Sequence, residues 1–166
     1  LPAKLRPWSP RGALFALDCL DGISVFDAAH PAEPVRHLVS GRCYVVWSPD
    51  GQWLVYESYP GDNLDIYIMR LNSGEAPIRL PGNSDAADFS PAWSPDGRRI
   101  AFTSWREGNK DIYVFNLDDQ SVTNLTNTPG RDEDYPVWHP DPAVDLIAYS
   151  ALDAGFDKVF VESAAD

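Results

Sequence analysis

Short apolar segments rich in β-branched and aromatic residues alternate with clusters of turn residues along this chain. Tyr44-Val45-Val46, Pro91-Ala92 and Pro136-Val137 are one set. Trp53–Tyr56, Ile100–Thr103, Leu146–Tyr149 and Ala13–Leu17 are a second, and Asp65–Met69, Asp111–Phe115, Gly22–Phe26 and Asp157–Val161 a third. A fourth set ends in leucine, at Val35–Leu38, Ile78–Leu80 and Val122–Leu125. Segments of this length and composition between turn signals predict strands.

The segments recur in a fixed order around one pentapeptide. Trp-Ser-Pro-Asp-Gly stands intact at Trp47–Gly51 and Trp93–Gly97, with eroded copies at Trp8–Gly12 and Trp138–Pro142. Successive tryptophans are 39, 46 and 45 residues apart. A repeat of roughly 40–45 residues built from four strands is one blade of a β-propeller. The pentapeptide reads as a hairpin turn. Pro sets φ, Asp can bond its own backbone, and Gly takes the left-handed conformation. The tryptophans Trp47, Trp93 and Trp138 are expected to pack between successive blades.

The run Pro91–Ser104, with Asp111-Ile112-Tyr113 and Asn124-Leu125-Thr126, resembles the PD40 or WD40-like repeat of the TolB family. The same repeat occurs in propellers attached to serine peptidases of the prolyl oligopeptidase type. The resemblance covers nearly the whole chain. It implies an all-β propeller of four-stranded antiparallel blades that captures partner segments, without catalysis of its own and without a cofactor, in a periplasmic or extracellular setting. The alternatives are a peptidase propeller that gates or recruits substrate, or a carbohydrate-binding or lyase propeller.

Blade boundaries fall at residues 1–40, 41–83, 84–128 and 129–166. The tryptophan-to-leucine spacing of blades 1 to 3 would carry the fourth strand of blade 4 beyond Asp166, so about four blades are expected with the last lacking its outer strand. The position that would supply a closing strand before Trp8 also falls outside the chain. Three readings follow: a piece of a longer propeller, an open arc completed by another copy, or a closed four-bladed ring. The faces of the first and last blades are expected to be adhesive unless covered.

Composition narrows the partners. The 166 residues carry a net charge of −12, which repels phosphate backbones and disfavours nucleic acid. Residues 131–166 hold nine Asp and Glu against two Lys and Arg. A protein or peptide partner with basic or amide-bearing groups suits that sign. No apolar run nears the ~18 residues of a membrane span. The chain opens on Leu1 without a signal-peptide pattern and reads as a mature or trimmed product. Cys19 and Cys43 lack metal spacing and read as two thiols, with a disulfide as the alternative.

Candidate chemistry is sparse. His30, His37 and His139 lie on separate blades at unlike positions, a poor metal set. The turn serines Ser9, Ser48 and Ser94 lack a nucleophile elbow and read as turn caps. The recurring Asp65, Asp111 and Asp157 are expected to bond nearby backbone at the strand entry. No catalytic or metal residue is assigned. The loops leading into the innermost strands hold Asp85, Asp88 and Phe89, then Asp132, Glu133, Asp134 and Tyr135; with Trp105 they form a candidate partner-binding rim.

Overall fold

A computed structural model describes residues 8–19, 22–38, 44–59, 61–153 and 155–165. Strands and turns account for them, and no helix among them is long and apolar enough to cross a membrane. The first sheet holds β1 (Leu14–Cys19), β2 (Gly22–Asp27) and β3 (His30–Leu38). The second holds β4 (Val45–Trp47), β5 (Trp53–Ser58), β6 (Asp65–Arg70) and β7 (Ile78–Arg79). The third holds β8 (Asp88–Trp93), β9 (Arg99–Ser104), β10 (Asp111–Asn116) and β11 (Val122–Asn124). The fourth holds β12 (Glu133–Trp138), β13 (Leu146–Asp153) and β14 (Phe156–Ser163). Within each sheet neighbours in sequence are neighbours in space, and every pairing is antiparallel. These are propeller blades. The fourth has three strands. In the first, the described residues add one antiparallel bridge outside the strands, between Trp8 and Phe15.

The chain divides into two compact units, residues 1–80 and 81–166, of two sheets each. In the first unit Ala16, Ile23 and Val25 of one sheet pack with Trp47, Leu54, Tyr56 and Met69 of the next. In the second, Ala101 and Val114 pack with Trp138 and Ile147, and Ile112 packs with Tyr149 and Ala151. The tryptophans at these two seams therefore wedge sheet against sheet, as their spacing predicts.

The pentapeptide turns are held by their own side chains. The Gly51 N–H donates to the Ser48 carbonyl at 2.9 Å and the Trp53 N–H to Ser48 Oγ at 2.9 Å. The Ser48 hydroxyl donates in turn to Asp50. Ser94, Asp96, Gly97 and Arg99 repeat the arrangement. Gly51 and Gly97 adopt φ of 71° and 75°, a conformation that Gly takes without a Cβ clash. Both serine oxygens are committed to the turn.

The recurring aspartates do more than pin a strand entry. Asp65 on β6 meets Arg79 on β7 at 2.8 Å. Asp111 on β10 accepts from Asn124 at 3.2 Å, Thr126 at 3.2 Å and the Thr128 N–H at 3.2 Å. They tie the third strand to the fourth segment of the blade. Asp157 is exposed instead. His30 opens β3. The Cys19 backbone ends β1, two residues beyond the predicted segment; the cysteine pairing lies outside the described residues.

Candidate functional site

All the candidate rim residues belong to the second unit, and a backbone irregularity presents them. The innermost strands β8 and β12 begin earlier than the apolar pattern indicates, so Asp88, Phe89, Glu133, Asp134 and Tyr135 lie in strand, not in a loop. Each strand then breaks register, between Phe89 and Ala92 and between Asp134 and Val137. The bulges fall at Pro91 and Pro136, where a ladder N–H is missing. Ser90 and Tyr135 occupy the same place in the two bulges with φ of 52° and 61°. A left-handed backbone is rare for a residue as bulky as tyrosine and marks stored strain.

The bulge also re-aims side chains. Tyr135 is 48% exposed and Trp105 39%. Asp85 and Asp132 are exposed and Phe89 is half-buried. Asp88, Glu133 and Asp134 are buried. A buried carboxylate needs a counter-charge and hydrogen bonds, and each has them. Asp88 accepts from Arg106 Nη2 at 3.0 Å and from Ser84 Oγ at 3.0 Å. The Arg106 guanidinium also lies 4.3 Å from the Tyr113 ring centroid, donates to Ser104 Oγ at 2.9 Å and reaches the Gly82 carbonyl at 2.9 Å. Glu133 accepts from Arg131 Nε at 2.6 Å and Thr128 Oγ1 at 2.6 Å. Its carboxylate holds the Arg131 guanidinium protonated more firmly than usual. Asp134 accepts from Lys110 Nζ at 3.1 Å and Thr103 Oγ1 at 3.1 Å.

Lys110 is the hub of what remains exposed. Its ammonium lies 5.8 Å from the Trp105 ring centroid and 5.9 Å from that of Phe89, within cation–π range. Its N–H donates to Asp132 at 3.1 Å, and its carbonyl accepts from the Glu133 N–H at 2.9 Å. Phe89, Trp105, Asp132 and Asp134 are thereby gathered around one lysine. The sequence reading placed the aromatic and acidic members at this end but omitted Arg106, Lys110 and Arg131. Arg131 stands two residues from Glu133, the one pairing with a local signal; Arg106 and Lys110 lie between β9 and β10, 18 and 24 residues from Asp88 and Asp134. No group of three or more His, Cys, Asp and Glu that could hold a metal occurs among the described residues. His37 Nδ1 is 2.8 Å from Ser24 Oγ, and His139 Nδ1 accepts the Asp141 N–H at 3.2 Å.

The TolB β-propeller domain, PD40, matches residues 35–166. The chain is similar to the structure of a putative TolB from Agrobacterium tumefaciens, with a TM-score of 0.78 and 28% identity over 95% of this chain and 60% of that one. It is similar to TolB from Acinetobacter baumannii, with a TM-score of 0.77 and 23% identity over 94% of this chain and 39% of that one. A structure from a study of two prolyl endopeptidases shares the fold at a TM-score of 0.67 and 18% identity, over 95% of this chain and 26% of that one. The chain thus spans less than two thirds of the length of these solved proteins. No curated protein matches it by sequence.

Proposed function

Because this chain belongs to the TolB β-propeller (PD40) family, we propose that it is a non-catalytic scaffold that captures a protein or peptide segment at the Trp105–Tyr135 end of its second unit. The observation that carries this reading is Tyr135, half exposed on a strained left-handed backbone. Strain of this kind, costing about 1–2 kcal/mol, persists where the surrounding structure holds it, and such positions cluster at ligand-binding places. Trp105 and Tyr135 offer rigid aromatic area, which dominates binding hot spots.

The carboxylate pairing reshapes the expected charge recognition. With Asp88, Glu133 and Asp134 already matched by cations, a basic or amide-bearing partner would meet Asp85 and Asp132. A propeller that recruits substrate for a peptidase domain would use the same surface. The likeness to a prolyl endopeptidase at 18% identity speaks for the fold alone, and the coding sequence of the full protein separates the two readings by whether a peptidase domain is present.

Panning a random peptide library against the chain tests the site. Enriched peptides should bind the Trp105→Ala and Tyr135→Gly variants at least about tenfold more weakly, or ~1.4 kcal/mol. The Tyr135→Gly variant should also be more stable, by about 1 kcal/mol, because glycine relieves the left-handed strain. Peptides that bind wild type and both variants equally would sink the proposal.

A further inference from the structure

Three cations answer the buried carboxylates of the second unit, and they are held very differently. Arg106 donates to Asp88, to Ser104 and to the Gly82 carbonyl, and lies against the Tyr113 ring. Arg131 is bonded to Glu133 at 2.6 Å, and its guanidinium covers the Phe160 ring at 4.5 Å. The Lys110 side chain makes one hydrogen bond among the described residues, from Nζ to Asp134 Oδ2 at 3.1 Å. An ammonium carries three N–H donors, so most of its donating capacity is not committed to protein. Water reaches this side chain, which is 26% exposed.

The groups around the ammonium are fixed without it. Asp134 Oδ1 accepts from Thr103 Oγ1 at 3.1 Å and from the Tyr135 N–H at 2.8 Å. Both donors are neutral, and both use the oxygen that Lys110 does not. The Trp105 N–H donates to the Ala87 carbonyl at 3.0 Å, and the Trp105 carbonyl accepts from the Gly108 N–H at 3.0 Å. Phe89 stands on β8, paired with Thr103 of β9. Asp134 Oδ2 and the rings of Trp105 and Phe89 therefore form a seat for a cation, built by other contacts and filled by a lightly tethered one. A carboxylate flanked by aromatic faces is the chemistry that takes a lysine or an arginine.

We infer that Lys110 is a displaceable occupant of this seat: a lysine or arginine of the captured segment takes its place, and Lys110 swings into water. The inference rests on the peptide reading above and names the side chain that the site selects. Trp105 belongs both to the seat and to the exposed aromatic surface, so a segment lying on that ring reaches the seat directly. Exchange has a physical advantage over simple removal. Taking a cation away from a buried carboxylate leaves an uncompensated charge, whereas a swap keeps Asp134 paired before and after. The same swap is closed to Arg106, which would have to vacate Asp88, Ser104, Gly82 and the Tyr113 ring together. The resident lysine is also a filter, because a neutral or acidic segment has nothing to offer Asp134 and meets a filled seat.

Peptides selected by panning on the wild-type chain are the probe. They should carry a lysine or arginine. Replacing it with norleucine, which keeps an aliphatic stem and removes the charge, should weaken binding to wild type at least about tenfold. Lys110→Ala removes the competitor, so it should bind the cationic peptide at least about tenfold more tightly, while the norleucine analogue gains nothing. Arg98→Met removes an equal charge from an exposed pair elsewhere in the unit and should leave both affinities unchanged. Because Lys110→Ala bares Asp134, its melting temperature should fall. Added n-butylammonium chloride should raise it further than the same concentration of sodium chloride. Peptides that need Trp105 and Tyr135 yet bind equally well as norleucine analogues would overturn the inference and leave the peptide reading standing. Peptides indifferent to Trp105→Ala and Tyr135→Gly would remove that reading and the inference with it. A Lys110→Ala chain that n-butylammonium stabilises no more than sodium chloride does would overturn the seat itself.

Discussion

The indole N–H of Trp138 donates to the carbonyl of Ala92 at 3.1 Å, joining the innermost strands of two successive sheets. Ala92 immediately precedes Trp93, whose own buried indole N–H makes no hydrogen bond among the described residues, so the contact is particular to the Trp138 seam. Arg99 lies over the Trp138 indole, 4.6 Å from its centroid, and is held there by Asp145 at 2.6 Å. The ring is enclosed by apolar contact, a hydrogen bond and a cation.

Trp138→Phe should destabilise the chain by about 0.5–1.5 kcal/mol, because the half-buried Ala92 carbonyl loses its donor. Trp138→Ala should cost about 3–5 kcal/mol through the cavity it leaves. Urea denaturation followed by far-UV circular dichroism measures both. Equal losses for the two variants would show that the hydrogen bond, not the ring volume, holds this seam.

Arg106 and Arg98 make ion pairs of very different value. Arg106 neutralises Asp88, a carboxylate with no solvent exposure. Arg98 meets Asp118 at 3.0 Å with both side chains mostly in water. Arg106→Met should therefore cost about 3–5 kcal/mol by leaving a buried charge uncompensated. Arg98→Met should change stability by less than about 1 kcal/mol. The same denaturation experiment compares them, and adding Asp88→Asn to Arg106→Met should recover part of the loss.

The hydrogen bond from Ser48, aided by the Gln52 N–H, holds the Asp50 carboxyl below its ordinary value. A carboxyl lowered on folding contributes stability that is present above the unfolded value and is lost as pH falls through the folded one. Ser48→Ala should move the Asp50 titration upward in carbon-detected NMR. It should also flatten the loss of thermal stability on acidification below the usual carboxylate range. Asp50 is exposed, so salt should weaken the effect.

Much of the fold was legible in the chain because its decisive interactions are local. Ser48 reaches Asp50 and Trp53, two and five residues away, and the same offsets recur at Ser94. A turn that closes through its own side chains carries its geometry wherever it stands, and the meander of each sheet follows from turns spaced one strand apart. The tryptophans were legible as wedges for a related reason: a large apolar ring at the same place in every repeat has one surface to bury.

The candidate site was legible only as a set of residue types in the right neighbourhood. Asp88 and Arg106 are 18 residues apart and Lys110 and Asp134 are 24 apart. Whether such a carboxylate meets water or a cation depends on distance and burial, which sequence order does not encode. The bulges at Ser90 and Tyr135 likewise come from packing β8 and β12 with a proline in each. The chain by itself determined the blade, its turn and its tryptophan wedge. Tertiary structure alone decided that three of the five rim carboxylates face inward onto cations, leaving Trp105, Tyr135, Asp85 and Asp132 exposed, because desolvation and charge pairing act through space and not along the chain.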